Sequence, residues 1–201
     1  SLLAAIIWLA VSIPVGVLSA LRPRSIGDRV TTVLVLIAQS LPVYYFGLLA
    51  LYFLAYKIPI FPLGGYEPFS LSNPWPWFSH LILPWCVLAL LYIAIYARMT
   101  RNNLLETLGE DYIRTARAKG LSERRIIFRH ALRASLTPIV TLFGLDIALL
   151  VGGAIITESV FGWVGMGTVF RKAISSFDLN LLMAATLITT TLAVGANLVA
   201  D

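Results

Sequence analysis

The sequence predicts an all-α integral membrane protein, a multi-span helical bundle, on three observations. Hydrophobic residues make up 59% of the 201-residue chain and charged residues 12%, about half the usual charged share of a soluble domain. Five apolar runs, residues 2–20, 30–56, 81–97, 136–157 and 181–200, come near or reach the ~20 residues that cross a bilayer as a helix. The basic residues between those runs fall on alternate loops. Helices are required because lipid cannot satisfy free backbone N–H and C=O groups.

The runs follow in order. Leu2 opens the first with no basic flank before it, so the run is expected to be a span and not a signal peptide. Residues 30–56 are long enough to tilt or to include an interfacial turn, and residues 81–97 form the shortest run. Pro14, Pro42, Pro84 and Pro138 lie in or at the edge of spans, where proline removes an i→i−4 hydrogen bond and kinks a helix. They read as packing kinks or as hinges beside a cavity.

Arginine and lysine set the orientation. Arg22, Arg24 and Arg29 follow the first run, and nine further basic residues lie between Arg98 and Arg133. The other segments carry only Lys57, Arg171 and Lys172. The two basic loops are therefore expected to be cytoplasmic, with Ser1 outside and Asp201 inside. Material is expected to be missing at both ends, with an odd number of spans upstream if the complete N-terminus is cytoplasmic. All 201 residues read as a single transmembrane domain.

The outer segments are residues 57–80 and 158–180. The first interleaves Pro59, Pro62, Pro68, Pro74 and Pro76 with Phe61, Tyr66, Phe69, Trp75, Trp77 and Phe78. It reads as an interfacial loop, since Trp and Tyr favour the headgroup level, or as a lid over a substrate path. The second carries Glu158, Phe161 and Trp163 beside Gly162, Gly165 and Gly167, and three glycines so close permit tight turns with positive φ. Val169, Phe170, Ala173 and Ile174 then keep helical spacing opposite Arg171 and Lys172, which suggests a short interfacial helix.

In the long loop, residues 98–133, Leu104, Leu105, Leu108, Tyr112, Ile113 and Ala116 recur at three-to-four spacing, an amphipathic helical pattern. Gly109 is a point of interruption and Gly120 a stop. Ser122 is a candidate N-cap with Glu123 in the first turn beyond it. Ile126, Ile127, Phe128, Ala131 and Leu132 supply an apolar face for the next helix. The loop thus reads as helix, glycine corner, helix: a solvated basic face, or a docking elbow for a cytoplasmic partner.

Several functions are disfavoured. The net charge of +5 is confined between apolar runs, so a membrane-surface bias accounts for it better than nucleic acid does. Cys86 is the one cysteine and cannot form an internal disulfide. No His, Cys or carboxylate group has metal-ligand or triad spacing, and there is no G-x-x-x-x-G-K-[ST] phosphate loop. Asp146 is the only carboxylate well inside a run. It reads as a packing residue, as part of a translocation path, or, in a secondary transporter, as a proton relay.

Glu110-Asp111-Tyr112-Ile113-Arg114-Thr115-Ala116-Arg117-Ala118-Lys119-Gly120-Leu121-Ser122 resembles the coupling loop of ATP-binding-cassette (ABC) importer permeases, in their oligopeptide, dipeptide and nickel branch. The general pattern there is E-A-A, three residues, G, then I-x-L-P. Ala116, Gly120 and Leu132 keep that pattern, while Arg114, Thr115, His130 and Arg133 depart from it in the manner of the peptide branch. Glu158–Gly167 is similar to the branch's E-x-V-F-x-x-P-G-x-G segment, with Val164 in place of proline. Phe177-Asp178 resembles its Arg-Asp pair, with only the Asp kept.

The resemblance implies a type I ABC importer permease fold, with five transmembrane helices here plus short coupling and interfacial helices. It implies a further N-terminal span and extracytoplasmic region before Ser1. It implies a bacterial inner-membrane subunit that is not itself an enzyme and pairs with a second homologous permease. Two ABC ATPase subunits would bind the ATP and Mg, and an extracytoplasmic substrate-binding protein would deliver peptides, or else nickel or another small solute. Asp111, Tyr112, Arg114, Thr115, Ala116, Arg117, Lys119, Gly120 and Leu121 would couple to an ATPase. Asp146, Glu158, Phe161, Trp163, Gly165 and Gly167 are candidates for the translocation path or its gate.

Overall fold

The computed structural model describes residues 2–151 and 155–200. Ser1, Asp201 and positions 152–154 of the fourth expected span lie outside the described residues, so the sidedness read for the two ends stays an expectation. Ten α-helices and no strand occur among the described residues. They are α1 (Leu2–Leu21), α2 (Ile26–Ser40), α3 (Val43–Ala50), α4 (Trp75–Gly109), α5 (Asp111–Ala118), α6 (Glu123–Arg125), α7 (Leu132–Val151), α8 (Ile155–Phe161), α9 (Met166–Ser175) and α10 (Leu179–Ala200). Two π-helical stretches, Leu51–Lys57 after α3 and Ile126–Ala131 between α6 and α7, complete the helical structure.

Three helical segments are long and apolar enough to cross a membrane: Leu3–Leu21, Trp75–Gly109 and Glu123–Ile147. A fourth arises if α2 and the α3 segment count together, although they meet at a bend of 100°. The apolar stretch Leu179–Gly195 of α10 is shorter. Five is therefore not an exact count. The second run, expected to tilt or to include an interfacial turn, is broken at Leu41-Pro42. Proline disfavours helical backbone in the residue before it, and Pro42 itself is extended, with ψ of 144°. Pro14, Pro84 and Pro138 lie inside continuous helices, so of the four prolines only Pro42 divides one.

The chain forms two compact units. One comprises residues 1–7, 41–91 and 144–201, and the other residues 8–40 and 92–143. In the second unit, Val17 and Ala20 of α1, Leu104 of α4, Ile113 of α5, and Ile126 and Ala131 of the π segment form a buried apolar core. Trp8 is fully buried there, stacked on Tyr92 with ring centroids 4.2 Å apart and edge-on to Phe143 at 5.9 Å. A Cβ at Gly16 would lie 2.6 Å from the Ala97 carbonyl oxygen, so glycine is what lets α1 approach α4. In the first unit, Leu83, Val87 and Phe161 form a buried cluster with Phe46, Leu54, Val160 and Trp163 around it. Gly47 lets α3 approach α8, since a Cβ there would lie 2.9 Å from Val160 Cγ1.

Candidate functional site

The second unit carries the helix–glycine–helix elbow expected of the long loop. Helix α4 ends at Gly109, and Glu110, extended at ψ of 150°, starts α5 afresh. That restart changes the helical register, so Ile113 is completely buried while Tyr112 is 47% exposed. Tyr112 thus leaves the apolar face on which its spacing put it. Asp111, Arg114, Thr115, Arg117 and Lys119 are exposed with it, while Ala116 and Leu121 are half-buried against the core.

Gly120 closes α5 with φ of +75°. The Leu121 N–H donates to the Ala116 carbonyl at 3.3 Å, and the Gly120 N–H to that of Arg117 at 2.9 Å. These are the two bonds of a Schellman corner, in which the residue after the helix adopts the left-handed conformation that glycine takes without cost. A Cβ at Gly120 would meet nothing within 4 Å, so the requirement is conformational and not steric. Across the corner the Arg117 Nε donates to Glu123 Oε1 at 2.8 Å. Ser122 occupies the N-cap position of α6 without a capping side-chain bond. Beyond it, Ile126 and Ala131 are buried and Phe128 is 55% exposed. The π turn explains that correction, because its i→i+5 bonding aligns residues five apart.

Sequence reasoning missed the polar centre of this unit. Asp28, in the first turn of α2, is 5% exposed. Its carboxylate accepts from Arg101 Nε at 2.6 Å and Nη2 at 2.9 Å, from the Arg24 N–H at 2.9 Å, and from the Ser19 hydroxyl. Arg24 has φ of 62°, left-handed backbone stabilised by that N–H bond. The one available signal was a lone acid among the arginines of the first basic loop.

The first unit carries the other predicted set. Helix α8 ends in a second Schellman corner: Gly162 has φ of +64°, and the Trp163 N–H donates to the Glu158 carbonyl at 2.8 Å. The Phe161 carbonyl accepts from the Gly65 N–H at 2.9 Å, which ties the proline-rich outer segment to the end of α8. Tyr66 of that segment meets Trp163 edge-on at 5.7 Å.

Of the three clustered glycines only Gly162 has positive φ; Gly165 is extended and Gly167 lies within α9. Gly165 and Gly167 answer a steric need. Helix α9 begins at a glycine that has no side chain to cap it, and the Glu158 carboxylate reaches from α8 to accept the Thr168 N–H at 3.0 Å. A carboxylate at a helix N-terminus satisfies an orphan donor and opposes the positive end of the dipole. A Cβ on Gly165 would collide with that carboxylate, and one on Gly167 would lie 2.5 Å from Ile155 Cα. At the far end of α9, Phe177 takes the corner position with φ of 54°, and the Asp178 N–H donates to the Ala173 carbonyl at 2.9 Å. Asp178 Oδ1 accepts the Leu181 N–H at 2.9 Å and so caps α10. Ala173 is buried as its spacing predicts, but Ile174 is 61% exposed.

Glu158, Phe161, Trp163 and Gly165 share the wall of one cavity of about 700 Å³ with Tyr66, Trp77 and Trp85. Gly167, buried in α9, and Asp146 do not line it.

Residues 12–201 match the family described as binding-protein-dependent transport system inner membrane component. The chain belongs to that family. Relatives within it include the oligopeptide transport system permease protein AppB of Bacillus subtilis, 42% identical over 100% of this chain and 64% of its own length. The dipeptide transport system permease protein DppB of Escherichia coli K12 is 36% identical over 96% of this chain and 63% of its own. The di/tripeptide permease protein DppB of Pseudomonas aeruginosa is 38% identical over 92% and 61%. The chain thus spans somewhat less than two thirds of the length of these relatives. Among solved structures it shares its fold with a chain of the MetNI methionine ABC transporter in inward-facing conformations, with a TM-score of 0.74, 99% of this chain and 87% of the other covered, and 19% identity. This member of the inner-membrane component family is therefore a multi-pass helical membrane protein with the type I ABC importer permease fold.

Proposed function

We propose that the chain is the core of a membrane-spanning permease subunit of an ATP-driven bacterial importer of di- or oligopeptides. The observation that carries the reading is similarity to AppB along the whole of this chain at 42% identity, joined by relatives whose names specify dipeptides and di/tripeptides. In this reading the permease lies in the inner membrane beside a second, homologous permease. Two ATPase subunits bind and hydrolyse ATP with Mg on the cytoplasmic side, and a substrate-binding protein delivers cargo from outside.

The elbow around α5 is the proposed ATPase contact, on the cytoplasmic side with the rest of residues 98–133. Its exposed polar face offers Asp111, Tyr112, Arg114, Thr115, Arg117 and Lys119 to a partner. Ile113, Ala116 and Leu121 root it in the apolar core of the same unit, so a push on α5 moves packed helix and not a loose loop. Alternating access would follow from that push.

The test is purification of the full-length permease with its partners, followed by uptake of labelled di- and oligopeptides into proteoliposomes with the binding protein present. Uptake should require ATP. Uptake driven by an ion gradient without ATP would instead support a secondary transporter, and ATP-dependent uptake of nickel alone would reassign the cargo. Gly120→Pro forces φ to about −65° where the corner needs +75°. It should leave ATP hydrolysis running but remove peptide uptake, and normal coupled transport by that variant would dismiss the docking assignment.

A further inference from the structure

The cavity beside Glu158 has a composition that selects a ligand. Three tryptophans and a tyrosine line it, namely Trp77, Trp85, Trp163 and Tyr66. Trp77 and Trp85 meet edge-to-face at 6.2 Å, and Tyr66 and Trp163 at 5.7 Å. Among the described residues, Glu158 is the only charged one in the wall. None of the ion pairs among the described residues uses it, and its carboxylate is bonded to the Thr168 N–H. The Trp163 indole N–H is buried without an acceptor.

An anion among aromatic faces, with no ion-pair partner among the described residues, is complementary to an organic ammonium. Aromatic rings attract cations through their quadrupoles, and the half-buried Glu158 carboxylate adds a negative charge beside them. The remaining wall, Leu81, Pro84, Leu88 and Leu150 among it, is apolar apart from Thr157 and suits a hydrocarbon substituent. A volume of about 700 Å³ lies within the range that accommodates small organic ligands.

We infer that this cavity is a binding subsite for a primary ammonium carrying an apolar side chain, the chemistry of the amino-terminal residue of a hydrophobic peptide. Identifying the ammonium as a peptide N-terminus rests on the peptide-importer reading; the ammonium site itself does not. Glu158 then has two tasks: one oxygen caps α9, and the carboxylate's charge receives the ligand. Gly165 and Gly167 serve both, because their lack of a Cβ leaves the carboxylate its place.

The experiment uses the full-length permease complex in lipid nanodiscs without its binding protein. Binding of radiolabelled Leu-Leu is compared with that of N-acetyl-Leu-Leu and leucinamide. Leu-Leu and leucinamide should bind saturably, and N-acetylation should weaken binding at least tenfold. Glu158→Gln retains an oxygen for the Thr168 N–H but removes the charge. It should weaken both amines about tenfold while leaving the melting temperature within a few degrees of the parent. Trp85→Leu, which leaves the α9 cap intact, should weaken both several-fold.

Equal binding of free and acetylated Leu-Leu, or no effect of Glu158→Gln, overturns the subsite. So does absence of saturable binding in a complex that still takes up Leu-Leu with ATP and binding protein, a result that leaves the importer reading standing. Charge-dependent binding of leucinamide in a complex that takes up no peptide preserves the subsite and dismisses the peptide reading.

Discussion

Asp28 and Glu158 are the two acids around which the polar chemistry of the two units is arranged, and they are treated in opposite ways. Asp28 is enclosed by two bonds from the Arg101 guanidinium, a hydroxyl and a backbone amide. Among the described residues, Glu158 is bonded to a single backbone amide, and it lines an open aromatic cavity. The first carboxylate is saturated, so its role is to fasten α1, α2 and α4 within its unit. The second retains lone pairs and charge for something else. Two Schellman corners repeat the contrast. Gly120 stands in open space, with no packing of its own chain against the corner. Gly162 stands where Gly65 approaches: a Cβ there would be 3.6 Å from the Gly65 nitrogen, in a region already packed by its own chain.

The contrast can be broken most forcefully at Arg101. Arg101→Leu strands a carboxylate whose side chain is 6% exposed, and removing one partner of such a pair costs about 3–5 kcal/mol. A large fall in the melting temperature of the purified protein should follow. The double variant Asp28→Leu/Arg101→Leu should recover most of it, because an apolar pair leaves no buried charge. If single and double variants melt together, Asp28 is not the saturated anchor described.

Next in size is Gly165→Ala. Its Cβ collides with the Glu158 carboxylate, the end of a flexible side chain that must swing away from the Thr168 N–H, and losing a cap of this kind costs about 0.5–2 kcal/mol. The same denaturation measurement should show a clear loss, and a neutral result would show that Glu158 moves freely and does not cap α9.

Gly120→Ala should cost about 1 kcal/mol, the strain of left-handed backbone alone, since its Cβ meets nothing. Gly120→Asn should cost less, as asparagine visits that conformation more readily. A cost well above this in the isolated permease would mean that the elbow is packed and not free.

The smallest effect is a gain. Phe177 takes φ of 54° with its side chain 90% exposed, so it bears the strain without compensating burial. Phe177→Gly should stabilise the protein by about 1 kcal/mol or less, read as a modest rise in melting temperature.

Much of this was legible along the chain because it is local. Apolar run length announced the membrane class, and three-to-four spacing ending at Gly120 announced the elbow. Glu158 and its glycines stood out as a group, although the reason given for Gly165 and Gly167, positive φ, was not the one that operates. Two local details were lost to register. The restart at Glu110 turned Tyr112 outward, and the π turn did the same to Phe128, because one displaced residue rotates every side chain that follows.

Sequence by itself determined the helical class, the apolar segments and the positions of the corners, since run length, periodicity and the φ demanded of a single residue are properties of neighbouring positions. Tertiary structure alone decided which acid is saturated. Arg101 lies 73 positions from Asp28, and the aromatic wall beside Glu158 is drawn from α4, α8 and the outer segment. Charge pairing and cavity shape depend on distance in space, and only the packing of helices converts separation along the chain into that distance.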